Sequence, residues 1–267
     1  MQRQPVVAGQ FYSEDRIKLH DDLTRLIQLT DTRQKVIGIV APHAGYMYSG
    51  SIAGQIYGKV HIPDTVLIIG PNHHGLGETT ALFPDGEWLT PLGTVALNSR
   101  LNSLINKHAS HVQFDNVAHQ FEHSLEVQVP FLQVLKPNVT IAALCIGTAN
   151  FPILREIGSG IAAAVREYGQ DVLIVASSDM THYEPAASAR AKDNLALDRV
   201  LAFDPEGLLR ICRMERITMC GVAPVAVMLV AAGLLGATVA EITAYGTSGD
   251  VTGDNSKVVA YAAVTIQ

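Results

Sequence analysis

Hydrophobic positions along this chain follow two different periods. Between residues 14 and 29, Ile17, Leu19, Leu23, Leu26 and Ile27 recur near helical spacing. That pattern predicts a helix, with Ser13 as its N-cap candidate. The stretches VIGIVAPHAG (36–45), VLIIGPNHHG (66–75) and VLIVASSDMTHY (172–183) behave differently, opening on unbroken runs of Val, Ile and Leu. Runs of this kind, bounded by Gly and Pro, predict strands buried on both faces, as parallel sheets bury them. The strands are read at 36–41, 65–70, 139–146 and 171–176. Helical patterns are read at 49–57, 98–107, 123–135, 152–168, 190–203, 205–213 and 221–234. The Gly- and Pro-containing stretch 76–98 reads as a hairpin-like excursion, and 238–245 with 257–266 as two antiparallel strands around a Gly/Ser/Asp-rich loop.

Strands alternating with helices predict an α/β fold with a largely parallel central sheet flanked by helices. No Pro/Ser-rich linker, charge block or low-complexity run interrupts residues 1–267, so one domain is the simplest organisation. The segment 217–240 carries no charged residue and is long enough to span a bilayer. It is rich in Ala and Gly, holds Pro224 early, breaks at Gly233 and Gly236, and has no aromatic interfacial anchor. A buried helix followed by a strand is the expectation. The opening residues MQRQPVVAGQFYSEDR lack the apolar core of a signal peptide, so the expected setting is cytoplasmic, without membrane.

Composition narrows the function classes. Hydrophobic residues make up 48% and charged residues 16% of the 267, which suits an enzyme-sized globular unit. A net charge of −6 with no Lys/Arg-rich run gives no electrostatic footprint for nucleic acid. Three cysteines, Cys145, Cys212 and Cys220, are too few and too odd for a disulfide framework.

The chemistry gathers where the strands end. His43, His73, His74, Asp179 and His182 all lie just past a buried strand. Parallel strands bring such positions to one edge, where α/β sheets bind ligands. Imidazoles near a carboxylate there point to a metal or proton-transfer site. Pro42 and Pro71 stiffen the two His loops. Of the adjacent pair His73 and His74, only one can point into a common centre.

In FEHSLEVQVPFL, Glu122 and His123 are placed at the start of the helix 123–135, with His123 and Glu126 on one helical face. The plain alternative is helix capping by Glu122 and Ser124. In SSDMTHY, Asp179 stands three residues before His182 and could orient or charge its ring, an acid/base arrangement. No G-x-S-x-G elbow supports a serine hydrolase. Cys220 in TMCGVAP precedes a helix, whose dipole would favour a thiolate able to act as ligand or nucleophile. A buried, inert thiol is the alternative.

PVVAGQFY, APHAGYMYSG, IIGPNHHG, EHSLEVQVPF, SSDMTHY and MCGVAP, in that order over nearly the whole chain, resemble the Memo family. Prokaryotic members of that family are called AmmeMemoRadiSam system protein B. The family in turn resembles class III extradiol ring-cleaving dioxygenases in fold. The resemblance implies that His43, His73 and Cys220 are metal ligands. It also implies that His182 is the acid/base, with Asp179 and His123 as further pocket residues. The dioxygenases complete their ligand set with a carboxylate or a third His where this chain presents Cys220. A sulfur ligand favours copper, zinc or redox-active iron. The expected cofactor is one transition metal, with iron or copper ahead of zinc. The expected role is metal-dependent redox chemistry on a small or peptidic ligand. Rivals are a true Fe(II) extradiol dioxygenase, and a non-catalytic metal carrier or phosphopeptide-binding module. The family name further implies a functional link to a radical-SAM protein and an AMMECR-type protein.

Overall fold

A computed structural model describes residues 1–267. Its strands run β1 (Gln2–Arg3), β2 (Gly38–Ala41), β3 (Thr65–Pro71), β4 (Thr80–Leu82), β5 (Glu87–Thr90) and β6 (Gly93–Leu97). They continue with β7 (Gln113–Phe114), β8 (Thr140–Ile146), β9 (Val172–Ser177), β10 (His182–Glu184), β11 (Ala240–Thr247) and β12 (Val258–Ile266). The α-helices are α1 (Arg16–Leu26), α2 (Tyr46–Lys59), α3 (Ser99–His108), α4 (Val129–Leu135) and α5 (Phe151–Tyr168). After them come α6 (Ala186–Leu201), α7 (Pro205–Met214), α8 (Val222–Leu234) and α9 (Gly249–Thr252).

The sheet order is β1-β5-β6-β8-β3-β9-β2-β12-β10. The five central strands β6, β8, β3, β9 and β2 are mutually parallel. β12 joins β2 antiparallel and carries β11 on its flank. The α/β reading with a largely parallel centre therefore holds.

The unbroken apolar runs follow from burial on both faces. Along β3, Leu67 and Ile69 enter one core with α3, α5 and α8, while Val66 and Ile68 enter the other with α1, α2 and α4. β9 alternates the same way, with Ile174 and Ala176 on the first face and Leu173 and Val175 on the second. Each Val, Leu or Ile among them contributes roughly 1.5–3 kcal/mol by leaving water, so a polar residue at any of them would be costly. Helix α8 is apolar nearly all round because it is buried nearly all round. No helix is long and apolar enough to cross a membrane.

Helix α2 starts three residues before the expected 49 and α6 four before the expected 190, and two further helix starts differ in their bonding. The first helix is capped by Asp15, which accepts from the Lys18 N–H, while Ser13 Oγ only accepts from Asp15 N. The helix expected over 123–135 begins later: a 3-10 turn covers Glu126–Gln128 and α4 starts at Val129. The reason lies in the carbonyls upstream. His119 O and Glu122 O accept from the Arg3 guanidinium, Ser124 O from Ser177 Oγ, and Val127 O from the Tyr46 hydroxyl. With partners supplied from elsewhere, these carbonyls do not depend on helical bonds, while His123 O takes one from Val127 N at 3.1 Å.

Candidate metal centre

β2, β9 and β3 are neighbours in the sheet, with β9 between the other two. Their carboxyl ends deliver His43, the Ser177–Asp179 corner and His73 to one edge. The segment 119–128 then folds over that edge. Ser124 Oγ reaches Pro71 O at 3.3 Å, and Gln128 Nε2 reaches Pro42 O at 2.9 Å. Gly70 permits the approach: a Cβ there would stand 2.5 Å from Leu125 Cδ1 and 2.6 Å from Ser124 Oγ.

Three imidazoles converge here. His43, His73 and His123 each offer a ring nitrogen within 4.8 Å of the others. His73 and His123 stack with centroids 4.8 Å apart, and His43 stands edge-on to both. Burial, followed by the neighbouring His123 and His73, holds the His43 pKa well below the usual histidine value. Burial likewise lowers His123 to about 4. Neutral imidazoles with free lone pairs are what a divalent transition metal requires.

Each of two rings is held by a bond on its far nitrogen. His73 Nδ1 lies 2.9 Å from Glu122 Oε1, and its backbone N donates to Glu122 Oε2 at 2.7 Å. Burial pushes the Glu122 pKa up, but the His73 ring, the His73 N–H and the Ser124 N–H outweigh it and leave the carboxyl well below the ordinary range. An ionised Glu122 keeps the His73 proton on Nδ1 and frees Nε2. His43 Nδ1 lies 2.9 Å from Ser177 Oγ. Its Nε2 faces Cys220 Sγ at 3.1 Å.

Cys220 sits just before α8, and its sulfur also accepts from the Asp179 N–H at 3.3 Å. Gly221 lets this loop close on β9, since a Cβ there would stand 2.3 Å from Ser177 O. The dipole-favoured thiolate expected from the sequence is not what the environment gives. Burial of the sulfur and the Asp179 carboxylate push the free thiol well above its ordinary pKa. A cation bound beside it would reverse that sign.

Asp179 is buried, and burial raises its pKa to about 7 against the lowering effect of the His43 and Ala44 N–H groups. Its Oδ1 takes the His43 N–H at 2.8 Å. The expected Asp179–His182 pairing does not form: the His182 N–H goes to Thr218 Oγ1, and His182 Nδ1 is buried without a hydrogen-bond partner. Burial lowers the His182 pKa. Asp179 positions the His43 loop instead. Glu126 also differs from the reading that paired it with His123. It turns toward the N-terminal segment, where Arg3 Nη1, the Val6 and Val7 N–H groups and the Tyr12 hydroxyl surround it. His74 is exposed and stands outside the cluster, against Phe121.

His43, His73, His123, Asp179 and His182 line one cleft of about 610 Å³. Phe11 closes one side, with its ring 4.9 Å from His123. Tyr183 stands at the mouth, 74% exposed and with φ of 59°. Neither aromatic was marked by the sequence pattern, nor were Ser177 and Gln128 beneath His43. For Phe11, Ser177 and Gln128 no local signal exists, because their roles come from contacts more than 40 residues distant.

A family model described as Memo-like protein matches residues 3–265. The chain belongs to the Memo family. Among its relatives, a MEMO1 family protein of Methanothermobacter thermautotrophicus is 39% identical over 98% of this chain and 99% of its own. A MEMO1 family protein of Methanococcoides burtonii is 40% identical over 99% of this chain and 100% of its own. Among solved structures, an uncharacterized protein of Escherichia coli K12 aligns with a TM-score of 0.57 at 13% identity, covering 87% of this chain and 100% of that one. That likeness shows a shared fold. In this Memo-family chain the His cluster, with His43 and His123 held neutral by burial and Glu122 orienting His73, suits a bound transition metal.

Proposed function

We propose that this protein binds one transition metal ion, iron or copper, at the strand-end cluster and uses it in redox chemistry on a small or peptidic substrate. His43, His73 and Cys220 would hold the ion, with His123 beside His73 and His182 on the cleft side. The observation that carries this reading is the convergence of three imidazoles at the floor of an open cleft, with a sulfur 3.1 Å from His43 Nε2. When bound, such an ion supplies Lewis acidity and one-electron chemistry, and a soft sulfur donor favours copper or redox-active iron over magnesium or calcium.

The chain's own groups have separable tasks. Glu122 orients His73. Asp179 fixes the loop that carries His43. His182, which lines the cleft, is the group proposed to take or give a proton to substrate. Phe11 and Tyr183 exclude water and contact the ligand.

Metal analysis of protein purified without oxygen tests this directly. One equivalent of iron or copper is expected, lost in His43→Ala and His73→Ala variants that remain folded. Less than a tenth of an equivalent of any transition metal after reconstitution would overturn the proposal. Catechol cleavage to a yellow product with Fe(II) would replace it by an extradiol dioxygenase.

A further inference from the structure

The polar groups beneath His43 allow only one placement of its proton. Ser177 Oγ has three neighbours: Ser124 O at 2.6 Å, Gln128 Nε2 at 2.8 Å and His43 Nδ1 at 2.9 Å. A carbonyl only accepts, so the single Ser177 hydroxyl proton goes to Ser124 O. The orientation of the Gln128 amide is settled by its other partners. Its Nε2 reaches Pro42 O at 2.9 Å, which demands an N–H there, and its Oε1 accepts the Tyr57 hydroxyl at 2.9 Å. Gln128 therefore donates to Ser177 as well. Ser177 has one lone pair left, and it faces His43 Nδ1.

We infer that Gln128 and Ser177 are positioning residues that lock His43 in its Nδ1–H tautomer, so that a bare Nε2 is presented to the metal. Tyr57, Gln128 and Ser177 are fully buried and His43 is 2% exposed, so no water is at hand to substitute for a missing partner. With the proton on Nε2, two buried lone pairs would face each other between His43 and Ser177. On the far side of the ring, Cys220 Sγ stands 3.1 Å from His43 Nε2, accepts from the Asp179 N–H and has Asp179 O at 3.7 Å as a further neighbour. Gln128 touches neither cleft nor ion, so it acts through Ser177. This inference rests on His43 being a ligand, yet the tautomer itself can be read without any metal.

The test is long-range proton–nitrogen NMR correlation of nitrogen-15-labelled, metal-free protein at neutral pH. His43 should show a protonated Nδ1 and an unprotonated Nε2. Ser177→Ala should give a mixed or inverted tautomer, with a smaller shift in the same direction in Gln128→Leu, where Ser124 O still takes the Ser177 proton. Copper(I) affinity of Ser177→Ala, measured against a chromophoric chelator, should fall about 10–100-fold as for other groups that orient metal-bound histidines. Ser177→Thr, which keeps the oxygen, should restore both readouts. Circular dichroism and thermal unfolding select variants that fold. A native His43 carrying its proton on Nε2 overturns the inference, as does an unchanged tautomer in folded Ser177→Ala. A native Nδ1–H ring in a protein that takes up no metal upholds the tautomer lock and overturns the proposed function instead.

Discussion

Glu122 grips His73 twice, through the ring Nδ1 at 2.9 Å and through the backbone N–H at 2.7 Å. The carboxylate thus fixes both the rotation of the imidazole and the loop that carries it. Glu122→Gln keeps the shape, removes the charge, and has too few acceptors to serve both groups. The expected outcome is a loss of about 10–100-fold in metal affinity with little change in Tm. Chelator competition and a thermal scan on the same sample check this, and an unaltered affinity would remove Glu122 from the site.

Cys220 and His123 make different demands on a probe ion. If sulfur binds, the cobalt(II)-loaded protein should show a near-ultraviolet sulfur-to-metal band that disappears in Cys220→Ser and persists in His123→Ala. Metal uptake should also fall steeply with acidity, because the thiol must lose its proton to coordinate. A cobalt spectrum identical in native and Cys220→Ser protein would leave the three histidines as the ligand set.

Arg3 and Glu126 form an ion pair of 2.7 Å with side chains 4% and 1% exposed. Arg3 also lies over the Trp88 ring at 4.3 Å and donates to three carbonyls. Removing one partner strands the other charge in the interior. Glu126→Ala is expected to cost about 3–5 kcal/mol. Urea denaturation measures it, and a cost below about 1 kcal/mol would mean that the pair is solvated as surface pairs are.

His119 supplies a pH signature away from the cleft. Its Nε2 donates to Ala81 O at 3.0 Å, and burial lowers its pKa to about 4. The unfolded chain, with a value near 6.5, binds more protons between those limits. The stability that neutral His119 contributes is therefore complete above about pH 6.5 and is lost as pH falls toward 4. The gap corresponds to on the order of 3 kcal/mol. The advantage of the native protein over His119→Gln in urea should shrink across that window. An advantage independent of pH would contradict the assignment.

The fold was legible because its central strands are buried on both faces, which writes them as unbroken apolar runs. The strand-end rule then placed His43, His73, Asp179 and His182 on one cleft before any coordinates. What stayed hidden depends on distant partners. The helix start at 123 looked ordinary because nothing near it in sequence says that Arg3, Tyr46 and Ser177 will occupy its carbonyls. Glu126 looked like a companion of His123 because spacing alone cannot see the segment 3–12 that claims it. Asp179 and His182 are three apart, yet the chain turns the carboxylate back to His43, where a buried backbone N–H needs an acceptor.

The ion pair that anchors the N-terminal segment joins residues 123 positions apart, and the Cys220–His43 contact spans 177. At roughly 5–20 residues per second, a ribosome that has released Arg3 needs on the order of ten seconds to reach Glu126. In the course of that interval His43 and His73 emerge, without Glu122 to orient one or Ser177 to hold the other. A metal ion met then would find two loose imidazoles rather than a site. If the site takes the proposed ligands, loading waits until residue 220 has emerged, and the long reach of these contacts sets an order of events: the walls of the cleft come first, the ion last.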